Sequence, residues 1–349
     1  MKRRGICKIC KEEGEFEAYK VKEMMKGTKE EFTYILCTNC GCLQIEQVPE
    51  NIEDYYYDNY YSYHIPPIKK VVVEEKLKDI SILDVGCGAG FWLCNLATKG
   101  YSDLWGCDPF IKKDLYYDNG VRIKKCTIHE INKKFDLIRL SHSFEHMVDP
   151  LEVFVTISKI LKDGGVCKIA IPVVPNIAFD NYKENWYQLD APRHAFIHSP
   201  QSIAYLAEQA NLKIAKTEYV SNNGQFIRSI LYTMGIPFEK QTDEMLNNYF
   251  SKQDVIKYNA LAEKVNKEKY GDQAIFYLEK DKEREEIDEK ELLITMGEAI
   301  HYLIQQREIG QLNEAAYLLD DLLEAQKLLC AKIEKFINKK EKCYDIEEN

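Results

Sequence analysis

The chain lacks several things at once. It has no apolar run of the ~18 residues that a membrane helix needs, and no cationic start leading into an apolar segment of the kind a secretory signal uses. Neither a membrane span nor export is therefore expected. A basic surplus is also missing: 57 acidic against 47 basic residues leave a net charge of −10, which argues against general nucleic-acid binding. With 45% apolar and 30% charged residues over 349 positions, the composition is that of a globular chain long enough for two or three domains. One absence is local. The glycine cluster at Gly86, Gly88 and Gly90 lacks the G-x-G-x-x-G spacing that cradles a dinucleotide pyrophosphate, so a nicotinamide enzyme ranks last.

What is present there is more informative. Ile80, Ile82, Leu83 and Val85 read as a buried strand. The glycines give a tight turn with no Cβ between backbone and ligand. Phe91, Leu93, Leu96 and Ala97 begin a helix whose free N–H groups face a polar ligand. An acid that could hold two ribose hydroxyls is expected ~20 residues on, at the end of the next strand; Asp108 lies 22 residues after Gly86.

The segment Asp84-Val85-Gly86-Cys87-Gly88-Ala89-Gly90 resembles the D-x-G-x-G-x-G loop of class I S-adenosylmethionine-dependent methyltransferases. Further motifs follow in the family's order. Phe135 to Leu140 looks like its fourth strand, Ser141-His142-Ser143-Phe144-Glu145-His146 like the S-x-x-x-E-H segment beyond it, and Leu161-Lys162-Asp163-Gly164-Gly165 like its L-K-P-G-G turn with aspartate for proline. Val166 to Ile171 would be the fifth strand. The match runs over about residues 75 to 235. It implies an α/β fold with a Rossmann-like seven-stranded sheet and S-adenosylmethionine as cofactor. It also implies a cofactor site of Asp84, Gly86, Cys87, Gly88, Gly90, Asp108, Ser141, His142 and Glu145.

Twelve cysteines in a chain without an export signal point to a reducing, cytoplasmic setting, where paired cysteines hold metal more often than they form disulfides. Cys7-x-x-Cys10 and Cys37-x-x-Cys40 are two knuckles 26 residues apart, suited to a tetrahedral, structural Zn²⁺ site. The gap exceeds the ~15–20 residues of the common zinc-ribbon pattern. Strands over Phe16 to Val21 and Phe32 to Leu36 would fill it, and Cys42 is a spare that could replace Cys40. A zinc-ribbon-like module before such a methyltransferase resembles bacterial enzymes acting on sugars and other small metabolites.

Methyl transfer from a sulfonium is an in-line displacement that depends on alignment, and a hydroxyl acceptor also needs a base. After the fifth strand come Tyr182, Trp186, Asp190, Arg193, His194 and His198. The W-x-x-x-D-x-P-R-H arrangement resembles one in methyltransferases associated with cell-surface glycans. Trp186 could stack on a sugar and Arg193 could grip a phosphate or carboxylate. Tyr182, Asp190 and His198 complete the substrate set, although Asp190, Arg193 and His194 could equally pin the loop as a structural network. His194 is the first candidate base and His142 the second. Asp180, Glu184 and Asp190 have no spacing that fixes a catalytic metal, and none is expected.

The expected organisation is a zinc-ribbon-like module over 1–50, a tyrosine-rich connector or lid over 51–74, the methyltransferase domain over 75–238, a charged helical connector over 239–290 and a helical hairpin extension over 291–349. Within the catalytic domain, a helix is expected over Gln201 to Ala210 and strands over Lys213 to Val220 and Gln225 to Tyr232. The hairpin would pack on another copy, a partner or the catalytic domain. The function expected is O-methylation of a sugar, nucleotide sugar or glycan precursor. The alternatives are N- or C-methylation of another small metabolite, or a cofactor-binding scaffold without turnover.

Overall fold

The computed structural model describes residues 1–56 and 78–281, with no account of the side chains of residues 78 and 79. The hairpin expected over 291–349 and most of the tyrosine-rich segment lie outside the described residues. The N-terminal quarter holds β1 (Lys2–Ile6), β2 (Glu13–Lys22), β3 (Glu31–Leu36) and β4 (Leu43–Ile45). Then come β5 (Lys78–Val85), α1 (Phe91–Thr98), β6 (Tyr101–Cys107), β7 (Leu115–Tyr116), β8 (Arg122–Lys124), β9 (Phe135–Ser141), α2 (Pro150–Ile160) and β10 (Leu161–Pro172). They are followed by α3 (Ile177–Tyr182), β11 (Phe196–Ile197), α4 (Pro200–Gln209), β12 (Leu212–Tyr219), α5 (Gly224–Thr233), α6 (Asp243–Tyr249), α7 (Lys252–Lys267) and β13 (Gln273–Lys280). Among the described residues no helix is long and apolar enough to cross a membrane.

The large sheet runs β12-β13-β10-β9-β5-β6-β8-β7. Strands β5, β6, β8, β9 and β10 are parallel. Strand β13 is antiparallel to both β10 and β12. Seven strands make the expected Rossmann-like sheet, and the two-residue β7 adds an antiparallel edge. Ile80, Ile82, Leu83 and Val85 of β5 are all buried, as a central parallel strand covered on both faces requires. The chain first builds outward from β5 to β8 and then returns to lay β9 on the other side. The switch point between β5 and β9 is where such sheets bind ligands.

Two expectations fail here. Residues Gln225 to Tyr232 form helix α5, not a strand. Phe226, Ile227 and Leu231 recur at helical spacing on its buried face. The strand that completes the sheet is β13, inside the segment expected to be a charged connector. There Ala274, Phe276 and Leu278 alternate inward, and β13 inserts between β10 and β12. The sheet therefore extends to Lys280, and α6 and α7 lie in the same segment ahead of β13.

The small sheet runs β1-β2-β3-β4-β11, and its last strand comes from the catalytic region. Phe196 pairs with Gln44 and Ile197 with Leu43. Phe16, Tyr34, Leu43 and Ile45 belong to the same continuous core as Val85, Phe144 and Trp186. Residues 1–50 are thus packed into the fold and do not form a separate bead.

Candidate active site

At the C-terminal end of β5 the chain turns through Gly86, Gly88 and Gly90, all with positive φ. Two of these glycines are demanded by packing. A Cβ on Gly86 would lie 2.5 Å from Ser143 Cβ, and one on Gly90 2.3 Å from Ile123 Cδ1. Ser143, whose part the sequence reading missed, also donates to the Val85 carbonyl at 2.9 Å and so ties the S-x-x-x-E-H segment to the glycine turn. Asp84 accepts from Arg139 Nη1 at 2.9 Å, and the Arg139 guanidinium lies 4.4 Å from the Trp92 ring centroid. Burial pushes the Cys87 thiol pKa well up, so it remains an inert thiol beside Gly106.

Asp108 is buried at the end of β6. Its Oδ2 accepts from the Gly88 N–H and its Oδ1 from the Phe110 N–H, both at 2.9 Å. Burial raises its pKa while those backbone donors oppose the rise. A carboxylate offers about four acceptor sites, so one lone pair per oxygen is left for ribose hydroxyls. Tyr56, from the tyrosine-rich segment, stacks on Phe110 with ring centroids 5.2 Å apart.

Beyond β9 the chain gathers four ionisable side chains. His142, next to Ser141, takes φ 49° and is fixed by its N–H on the Ala170 carbonyl of β10. Its imidazole is 48% exposed, with Nδ1 3.5 Å from Glu145 Oε1. Glu145 is fully buried, and neither of its oxygens closes a hydrogen bond. Burial alone would raise its pKa, but His142, His146 and His194 around it prevail and hold it low, at about 2. Glu145 thus faces the histidines.

His194 is buried. Its Nδ1 meets the Gln188 carbonyl at 2.7 Å, and its Nε2 lies 3.8 Å from Glu145 Oε1. Burial, opposed by Asp190, takes its pKa down to about 4. Its neighbour His146 sits with its ring centroid 4.7 Å away. Of the two candidate bases, only His142 has a face toward solvent.

The expected substrate set is largely sequestered. Trp186 is fully buried and donates its indole N–H to Asp272 at 3.1 Å, so it cannot stack on a sugar. Arg193 is buried and spends Nη2 on both oxygens of Asp190. His198 is stacked on Phe144 and Phe196 with Nδ1 on Ser202 Oγ, inside the core. Tyr182 is half-buried against the core at the end of α3. Within the loop, Arg193 is bonded to Asp190 and His194 to the Gln188 carbonyl.

The small sheet reaches this loop directly. The Tyr34 hydroxyl donates to the His194 carbonyl at 2.7 Å, and the Ile45 N–H to the Ala195 carbonyl at 2.9 Å. Nothing in the local sequence marks Tyr34 for this. At the tip of the sheet, Cys7 Sγ is 3.6 Å from Cys40 Sγ and Cys10 Sγ is 3.6 Å from Cys37 Sγ. All four sulfurs lie within 4.8 Å of one another. A tetrahedral Zn²⁺ with Zn–S of ~2.3 Å sets sulfurs about 3.8 Å apart, so the cluster has the right size. Cys42 points its thiol to the Leu43 carbonyl, and Cys40 is the fourth member.

The parallel sheet, the glycine turn at its switch point and an acid at the end of the next strand define a Rossmann-like methyltransferase fold. Residues 57–217 match the family model described as a methyltransferase domain. The ubiquinone biosynthesis O-methyltransferase of Rickettsia bellii is 25% identical over 173 residues, covering 44% of this chain and 72% of that protein. The tRNA U34 carboxymethyltransferase of Helicobacter acinonychis is 31% identical over 102 residues, covering 26% of this chain and 39% of that protein. Among solved structures, the mycolic acid cyclopropane synthase CmaA1 complexed with SAH is 16% identical with a TM-score of 0.38, covering 58% of this chain and 78% of that one. At that score the likeness bears on no functional statement. The chain carries a class I, S-adenosylmethionine-dependent methyltransferase domain.

Proposed function

We propose that the enzyme methylates a hydroxyl oxygen of a small acceptor, with sugars, nucleotide sugars and glycan precursors as the first class to test. The observation that carries this reading is His142. It is a half-exposed imidazole beyond β9, adjacent in sequence to Ser143, which packs on the glycine turn, and its Nδ1 faces the buried Glu145 carboxylate. Such a pair suits removal of a hydroxyl proton as the oxygen attacks the methyl carbon. Glu145 would orient the ring and stabilise the imidazolium. Asp108 would hold the cofactor ribose, and the glycine turn would receive the rest of the cofactor. Methyl transfer to oxygen is also what the Rickettsia relative's name describes. The sugar class rests on the combination of cysteine module and methyltransferase domain. In this reading the four cysteines hold a structural Zn²⁺, whose closed thiolate shell leaves no position for substrate.

The test starts with calorimetric titration of S-adenosylmethionine and S-adenosylhomocysteine into the full chain. Labelled methyl transfer is then screened over nucleotide sugars and other hydroxylated acceptors. With an acceptor in hand, His142→Asn, which tolerates positive φ, should lower kcat by ~100- to 10,000-fold while cofactor affinity stays within a few-fold. His194→Gln is the comparison. Full turnover in the His142 variant would remove it as the base, and transfer only to amine or carbon acceptors would sink the O-methylation reading.

A further inference from the structure

Glu145, His146 and His194 form a second cluster with metal-ligand chemistry, separate from the cysteines. Their donor atoms lie within 4.8 Å of one another. Each histidine has its Nδ1 against a backbone carbonyl, His146 on Arg193 at 2.9 Å and His194 on Gln188 at 2.7 Å. A carbonyl oxygen only accepts, so in both rings the proton sits on Nδ1 and the Nε2 lone pair is left to coordinate. Carbonyl-anchored imidazoles of this kind are how proteins orient histidines toward metals. The third member, Glu145, is fully buried with both oxygens unpaired, its nearest nitrogens being His194 Nε2 at 3.8 Å and His142 Nδ1 at 3.5 Å.

Charge points the same way. Arg193, the cation of this loop, spends Nη2 on both Asp190 oxygens. A buried carboxylate that closes no hydrogen bond, with its facing imidazole nitrogens at 3.5 and 3.8 Å, is costly. We infer that Glu145, His146 and His194 bind a divalent transition cation of the Zn²⁺ type. Two imidazoles and one carboxylate are a three-ligand set that leaves a coordination position open. Ligands around such an ion stand about 3.3 Å apart, so the 3.8 Å gap between His194 and Glu145 needs a closure of about half an ångström, within side-chain reach. His142 lies on the exposed side of Glu145, so the open position would face the acceptor. A hydroxyl bound there would lose its proton more readily. Binding of the ion is independent of the methyl-transfer reading; its role toward the acceptor hydroxyl rests on that reading.

The test is a metal count on the full chain. Protein with Zn²⁺ in the cysteine cluster is titrated with Co²⁺, and bound cobalt and zinc are measured by atomic emission together with the visible spectrum. One further equivalent of cobalt is expected, with ligand-field bands but no thiolate charge-transfer band. Glu145→Gln and His194→Gln should each weaken cobalt binding tenfold or more while retaining zinc and S-adenosylmethionine affinity. His146→Asn gives the same readout if either variant does not fold. No cobalt uptake beyond the cysteine cluster in the wild type, or wild-type uptake in the folded variants, overturns the site. Because the readout is metal content, its failure leaves O-methylation standing, and a failed acceptor screen leaves the metal count standing.

Discussion

The two sides of the site are held by different forces. The proposed cofactor side is a backbone device: three glycines at positive φ, two of which, Gly86 and Gly90, pack so closely on Ser143 and Ile123 that a methyl group does not fit. Its stretch from Asp84 to Asp108 is continuous in sequence. The proposed acceptor side is a side-chain device, in which Glu145, His146, Asp190, Arg193, His194 and Asp272 are buried or partly buried, with contacts both within the loop, as between Arg193 and Asp190, and between distant segments, as between Trp186 and Asp272. It leans on the small sheet through Tyr34 and through β4 against β11. Backbone devices fail when atoms are added. Devices made of buried charge fail when a charge, a proton or a metal changes.

The largest break is expected from removal of the Zn²⁺ proposed for the cysteines, or from Cys37→Ser. Structural zinc sites contribute on the order of 10 kcal/mol to folding. The small sheet should lose its protease resistance and turnover should vanish. The glycine side should still bind S-adenosylhomocysteine within about tenfold, as calorimetry would read. Loss of cofactor binding to the same extent would show that the two sides are not separable.

Next is Gly90→Ala, which sets a Cβ against Ile123 at a residue with φ 79°. A loss of about 3 kcal/mol is expected from strain and overpacking, seen as a lower denaturant midpoint. It should be the same at pH 5 and pH 8, because no charge is involved.

Asp272→Asn should show the opposite pattern. Burial raises the Asp272 pKa to about 6, against the hydrogen bonds from Trp186 and Ser221. The unfolded carboxyl titrates at about 3.9. As pH rises between those values the unfolded chain releases a proton that the folded chain keeps, so stability falls by about 3 kcal/mol and then levels off. The asparagine variant should therefore be more stable than wild type above pH 6, with the gap closing toward pH 4. An equal gap at both ends would deny a buried charge there. The smallest effect is expected from Tyr34→Phe, about 1 kcal/mol for a lost hydrogen bond. If the small sheet positions the His194 loop, KM for the acceptor should rise while cofactor affinity stays unchanged.

The same contrast explains what could be read in advance. Asp84 to Gly90 and Asp108 were legible because a turn and the strand after it are local, and their spacing carries the geometry. The cysteine pairs were legible because each knuckle is a four-residue turn. Trp186, Arg193 and His198 misled because residue type suggests chemistry while burial decides whether a ligand can reach it. Strand β13 was hidden because its eight residues follow a highly charged stretch, and its alternation was averaged away.

By itself, then, the sequence determined the parallel sheet, the glycine turn and its acid, and the four-cysteine cluster, all of which depend on short-range periodicity and spacing. Only the tertiary structure decided that β13 completes the sheet, that β11 joins the small sheet, that His142 is exposed while His194 is not, and that Glu145 meets two carbonyl-anchored histidines. Those facts depend on which distant segments come to share one interior, where exclusion of water turns ordinary side chains into buried charges.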